Sequence, residues 1–273
     1  GDWSSDVCSS DLGHFLLGAF DRLVEAWAAK APAMDARTRA QTALSSIHGV
    51  DLNPFAVAIA RFRLTVAALL ASGERSLVSA PAFAFKLAVG DSLLRWRADD
   101  VTLDLGDQEE TFAYSSEDIQ EYAGILDTNQ YHVVVGNPPY IAVKDKALNE
   151  LYRRHYDSCA GKYALTVPFM ELFFRLALLG SVSSPAGYVG KITSNSFMKR
   201  EFGKKLIESF LSGSQAFTSP VDLTELVDTS GASIPGHGTP TVILFGRRRR
   251  IELSTVRAVL GIRGEPGQPA DPA

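Results

Sequence analysis

The chain has 273 residues, of which 46% are apolar and 21% charged, so it can bury a sizeable core and is not a wholly disordered polypeptide. Its two cysteines, Cys8 and Cys159, exclude a disulfide framework or a multi-cysteine zinc site within one chain; they fit a reducing compartment and, with no secretory signal, a cytoplasmic location. A net charge of −4 excludes binding of nucleic acid through bulk charge alone but leaves room for local basic patches.

Residues 2–12 have neither helical nor strand periodicity and resemble the translation of a sequencing-adapter oligonucleotide. The natural chain is therefore expected to begin at about Gly13, and the segment is set aside from fold reasoning. From 14 to 31, Leu, Ala, Phe and Trp recur at helical spacing until Pro32. A polar connection with a helical turn is expected over 33–46, then a short strand over 47–52. Asn53-Pro54 reads as a helix start, with Pro54 in the first turn and the helix running to about Leu70. A second strand is expected over 83–89, ending at Gly90-Asp91.

The acidic stretch 97–127 reads as an insertion. Val133 to Val135 is a β-prone run that stops at Gly136-Asn137-Pro138-Pro139-Tyr140. A helix is expected over 169–179; Glu171 and Arg175 interrupt its apolar run, so it reads as a core helix, and no uncharged apolar run reaches the roughly 18 to 20 residues that span a bilayer. Strands over 187–192, 223–227 and 240–245 and a helix over 198–211 complete the pattern. Strands alternating with helices predict an α/β fold with a central, mostly parallel sheet and helices on both faces. The chemistry-bearing core is expected over 13–250, with 251–273 a tail or linker.

The sharpest chemical signal is Asn137-Pro138-Pro139-Tyr140 after its strand. In open α/β sheets ligands sit beyond the carboxyl ends of strands. Two prolines remove two backbone donors and stiffen the loop, leaving carbonyl oxygens beside an amide and an aromatic ring. That set suits a planar substrate carrying an amino group: the acceptors face the amine and the ring stacks. Asp51 and Asp91 close the two earlier strands, and an acid placed as Asp51 is can meet ribose hydroxyls; each also has an ordinary reading as a cap or turn residue.

The motif in this context resembles the amino-methyltransferases that use S-adenosylmethionine (SAM), which have a Rossmann-like fold. The resemblance implies that the Asn137 side-chain oxygen and the Pro138 carbonyl accept the two hydrogens of an exocyclic adenine amine, with Pro139 stiffening the loop and Tyr140 stacking on a base flipped from duplex DNA. It also implies a cofactor site formed by Gly13, His14, Phe15, Asp51, Leu52, Asp91 and Ser92, with Asn137 bordering it. The family's acidic-Pro-x-x-Gly-x-Gly loop is represented here only by Gly13-His14-Phe15-Leu16. No Pro-Cys nucleophile of the cytosine ring-carbon enzymes occurs, nor a Walker-type phosphate loop.

Longer blocks resemble one branch, the adenine-specific PglX methyltransferases of BREX (phage growth limitation) systems. These are residues 159–171 (Cys-Ala-Gly-Lys-Tyr-Ala-Leu-Thr-Val-Pro-Phe-Met-Glu), 192–205, 228–232 and 234–244. The resemblance spans most of 13–250 and implies site-specific DNA methylation in phage defence, with double-stranded DNA and other BREX proteins as partners. Members are much longer, so the chain is expected to be their central core.

No Phe, Tyr or Trp occurs over 234–237 to supply a second stacking ring. Lys199, Arg200, Lys204 and Lys205 are candidate phosphate contacts, with a solvated helix face as the plain alternative. The four arginines 247–250 could meet a DNA backbone or decorate a soluble edge. His237 lacks a neighbouring His or Cys, so no metal site is expected. Rival readings are the methylase of a fused restriction-modification enzyme, a protein-glutamine or RNA methyltransferase, and a non-catalytic module of a defence complex.

Overall fold

The computed structural model describes residues 13–74, 82–94, 123–181, 183–213, 219–230, 239–252 and 255–261. The segment 1–12, most of the acidic stretch 97–127, and His237 with its neighbours 231–238 lie outside the described residues. The chain divides into two units, 1–127 and 128–273.

In the first unit, helix α1 (His14–Lys30) starts at Gly13, whose φ of 88° is the left-handed region open to glycine. A Cβ there would also come within 3.1 Å of the Ala60 Cβ, so a small residue is required on steric grounds as well. Helix α2 (Ala36–Ser45) occupies the stretch expected as a polar connection. Asp35 caps it by accepting from the Thr38 amide at 3.0 Å, and Ala40, Ala43 and Leu44 are buried; a local cap and a narrow apolar stripe outweigh the polar composition.

Strand β1 (His48–Asp51) leads through Asn53, whose side chain accepts from the Phe55 amide, into α3 (Pro54–Ser72). Gly73, at φ 78°, closes the helix in a left-handed cap. By length and composition alone α3 could cross a membrane. Yet Arg61 and Arg63 sit along it, and the Arg61 guanidinium donates to the Leu87 carbonyl at 2.7 Å, tying it to the sheet. Strand β2 (Lys86–Val89) pairs parallel with β1. Phe20, Leu44, Val57, Leu64 and Leu87 centre this unit's core.

The second unit holds a five-stranded sheet in the order β3-β4-β6-β5-β7. Strand β3 (Val133–Gly136) runs parallel to β4 (Tyr188–Ser194), and β6 (Thr241–Arg247) is antiparallel to both β4 and β5 (Asp222–Asp228). Strand β7 (Arg257–Leu260) pairs parallel with β5. The sheet therefore continues past residue 250, into the stretch expected as a tail. Among the described pairings three are parallel and two antiparallel, in line with the expected mostly parallel α/β fold.

Between β3 and β4 lie α4 (Lys146–His155), which the sequence reading had not marked, and α5 (Thr166–Leu176). Helix α5 starts and stops three residues earlier than expected, because the Ala177 backbone leaves the helical region and bridges Tyr131. It is buried almost throughout, and Phe173 and Phe174 pack so close to Gly136 and Gly246 that a Cβ at either glycine would lie 2.8 or 2.7 Å from a ring atom. Val133, Val135, Tyr188 and Phe245, on the opposite face, are exposed. The helix expected over 198–211 is three pieces: a 3-10 turn (Asn195–Met198), a short α6 (Gly203–Lys205) and a π-helical turn (Leu206–Leu211).

Candidate active site

In the first unit the carboxyl ends of β1 and β2 lie side by side. The Gly90 amide donates to the Asp51 carbonyl at 2.9 Å, and the Ser92 hydroxyl reaches the Val50 carbonyl at 3.5 Å. The Asp51 carboxylate accepts from the Asn53 amide at 2.7 Å, and burial raises its pKa above the usual carboxylate value. Asp91 accepts from the Leu93 amide at 2.9 Å, and Leu52 is 59% exposed although strongly apolar. The same unit carries Gly13, with His14 and Phe15 exposed on the first turn of α1.

Two acids, a hydroxyl and an exposed apolar side chain at adjacent strand ends form a donor set suited to a nucleoside, with carboxylates for ribose or amino hydrogens and an apolar side chain for a base. All the cofactor residues expected from sequence except Asn137 are thus found in one unit, and the β1 and β2 members are neighbours. Their chemistry fits SAM.

In the second unit Asn137-Pro138-Pro139-Tyr140 follows the carboxyl end of β3, as expected. Pro138 is buried, and Asn137, Pro139 and Tyr140 are half-buried. The Tyr140 hydroxyl donates to Asn137 Oδ1, so the amide is oriented from within its own loop. The loop's exit is held by the residues leading into α5: the Leu165 amide donates to the Ile141 carbonyl at 2.8 Å, and Ala142 bridges Ala164. Its entry is held by the β3–β4 ladder, where Gly136 pairs with Lys191.

Strands β3, β4 and β5 point the same way, so the turns after β4 and β5 leave the sheet at the edge that carries Asn137. Lys199 and Arg200 are exposed on the turn after β4, and Lys204 and Lys205 are exposed on α6. Asp228 tempers this basic cluster; hydrogen bonds from Ser230, aided by the Lys199 charge, hold its carboxyl below the usual value.

Three of the four arginines 247–250 take neither of the run's expected roles. Arg247 stacks on Tyr188 with 4.4 Å to the ring centroid and donates to the Ala186 carbonyl at 3.0 Å. Arg248 donates to the Arg175 and Ala177 carbonyls at 2.6 and 2.9 Å. Arg249 pairs with Asp222 at 2.8 Å and Glu252 at 2.6 Å. Three of the four are internal fasteners, and Arg250 is exposed.

Residues 45–227 match the Eco57I restriction-modification methylase family, a span that includes β1, β2, the Asn137 loop and the strand β4. The chain belongs to this family. Among curated relatives, the adenine-specific methyltransferase PglX of Streptomyces coelicolor is 53% identical over 96% of this chain and 22% of its own length. The type II restriction enzyme and methyltransferase RM.Eco57I of Escherichia coli is 31% identical over 48% of this chain and 12% of its own. The chain therefore spans about a fifth of PglX.

Among solved structures, the type ISP restriction-modification enzyme LlaBIII bound to DNA aligns with a TM-score of 0.56 at 15% identity, over 92% of this chain and 17% of that one. The DrdV–DNA complex aligns with a TM-score of 0.53 at 14% identity, over 88% and 22%. At such identities these alignments speak for the fold, which is that of restriction-modification methylases. As a member of the Eco57I family, the chain has its Asn-Pro-Pro-Tyr loop inside the matched span.

One residue escaped the reading of the sequence. Lys191, on β4, is 1% exposed and next to the motif's entry. A lysine within Tyr-Val-Gly-Lys-Ile, on the period-two face shared with Val189 and Thr193, was the available signal.

Proposed function

We propose that the chain is the methyl-transferring core of an adenine-specific DNA methyltransferase, acting on the exocyclic N6 amine of an adenine flipped from duplex DNA. The observation that carries this reading is the Asn137–Tyr140 loop at the carboxyl end of β3 in a chain of the Eco57I methylase family. SAM, when bound, supplies an electrophilic methyl group on a sulfonium centre.

The adenine amine is a weak nucleophile because its lone pair is delocalised into the ring. Asn137 Oδ1 has two acceptor sites; Tyr140 uses one, and the other accepts an amine hydrogen. The Pro138 carbonyl accepts the second hydrogen, and together they draw the lone pair out of conjugation. Tyr140 stacks on the flipped base, and Pro139 keeps the loop stiff. Catalysis is orientation and hydrogen bonding, with no covalent enzyme intermediate.

In the first unit, Asp51 holds the ribose hydroxyls of SAM, and Leu52, Asp91 and Ser92 its adenine. Gly13, His14 and Phe15 border its amino-acid end. Lys199, Arg200, Lys204 and Lys205 meet phosphates on the strand-end edge that carries Asn137. The kinship with PglX supports a cytoplasmic role in BREX phage defence beside other proteins of that system. The partial match to RM.Eco57I favours, as second reading, the methylase of a fused restriction-modification enzyme.

The test is transfer of labelled methyl from SAM to duplex DNA by the wild type and Asn137→Ala. The variant is expected to lose at least about 100-fold in kcat, as when one charge-stabilising contact is removed from a reacting centre, with its circular dichroism unchanged. Equal turnover by the folded variant would refute the assignment.

A further inference from the structure

The motif loop has no regular secondary structure of its own, so its shape is set by what grips its two ends. At the exit the grip is backbone to backbone, from Leu165 to Ile141 and between Ala164 and Ala142. At the entry it is the Gly136–Lys191 ladder pair and the Phe173 ring packed on Gly136. The exit grip comes from the residues leading into α5, and the entry grip from β4 together with Phe173 of α5. The loop's exit is therefore held only as firmly as the start of α5 is held to the sheet.

Lys191 makes that connection. Its chain runs from β4 through the core; its amine donates to the Thr166 carbonyl, in the first turn of α5, and lies 5.6 Å from the centroid of Phe173. No carboxylate is ion-paired to it among the described residues. The acid of α5, Glu171, is engaged by Arg175 and by the Ser158 amide at 2.9 Å. An amine enclosed in this way is costly as a bare cation, and an apolar side chain would fill the same space. Burial also pushes the Lys191 amine well below its usual range.

We propose that Lys191 is a positioning residue for the methyl-transfer reaction: by fastening the Thr166 carbonyl of α5 to β4, it fixes the clamp of Leu165 on Ile141 and thereby sets the Asn137–Tyr140 loop. The inference rests on the methyltransferase reading for its catalytic consequence and on the clamp alone for its structural one.

The experiment compares the wild-type chain with Lys191→Met, which keeps length and bulk but removes the donor. Two quantities are read: hydrogen exchange at the Leu165 amide, and kcat and KM for methyl transfer from SAM to duplex DNA. The variant is expected to exchange Leu165 at least 10-fold faster and to lose at least 10-fold in kcat, with KM for DNA within about 3-fold, because a loosened loop weakens turnover more than binding.

Unchanged exchange at Leu165 overturns the proposal whatever the activity. Faster exchange with unchanged kcat overturns the catalytic part. A wild type that transfers no methyl group refutes the methyltransferase reading, while the exchange comparison still decides the clamp. If Lys191→Met does not fold, Lys191→Gln, a neutral donor too short to reach Thr166, carries the same two readouts.

Discussion

Lys191→Met is expected to change the pH dependence of stability in a direction opposite to that of an ordinary surface lysine. In the folded protein the amine is enclosed, with the Thr166 carbonyl and the Phe173 ring as its partners among the described residues, and its pKa lies well below the usual lysine value because of that burial. In the unfolded chain it titrates near the ordinary value of about 10.4. Between the two, the unfolded state binds a proton that the folded state does not. Stability therefore rises with pH through that window and falls as the pH drops from about 10 toward neutrality.

One proton of difference corresponds to a slope of about 1.4 kcal/mol per pH unit. Methionine removes this contribution. It forfeits one hydrogen bond worth about 1 kcal/mol but no longer has to strip a proton from a buried amine on folding. The variant should thus be at least as stable as the wild type at pH 7, and the wild type should gain on it as the pH rises toward 10. Urea melts of both proteins at pH 7, 8, 9 and 10 give the difference directly, and taking the difference cancels the other lysines and tyrosines. Parallel curves would mean that Lys191 stays protonated in the fold and would refute the reasoning. A stability-neutral or stabilising change that lowers turnover would also separate positioning from folding.

Gly136→Ala places a Cβ 2.8 Å from the Phe173 Cζ, so it should destabilise by about 1–3 kcal/mol through overpacking, read in urea melts. A change under about 0.5 kcal/mol would show that the ring moves freely. Cys159 is buried, and burial pushes its thiol up to about 12. In a Cys8→Ser background, Ellman's reagent at pH 8 should label Cys159 only as fast as the protein unfolds, and rapid labelling of the native state would count against this packing. Asp51→Ala removes a charged acceptor worth about 1.5–3 kcal/mol, so SAM affinity by calorimetry should fall roughly 10- to 100-fold; an unchanged Kd would free Asp51 of its proposed role.

What could be read from the sequence was the local chemistry. A β-prone run that stops at two prolines, an Asn-Pro helix start and an acid after a short strand each depend on residues only a few positions apart. The structure has β3, α3 and β1 where those signals put them. The site candidates followed for the same reason, since strand ends are where an open α/β sheet presents its ligand groups.

Other features depend on partners far away in the chain. That β6 runs antiparallel between β4 and β5 is a matter of pairing, which no window of residues encodes. The same holds for β7, a run with no strong pattern of its own that borrows the edge of β5. The arginines 247–250 look alike in sequence, yet their fates are set by Tyr188, by the carbonyls of 175 and 177, and by Asp222. Lys191 reads as a stray charge in a strand until Thr166, twenty-five residues earlier, closes over it. Local sequence therefore determined where the motif and the strand ends lie. Burial and pairing decided which charged groups face water and which hold the fold, because the cost of a charge is set by its surroundings and not by its neighbours in the chain.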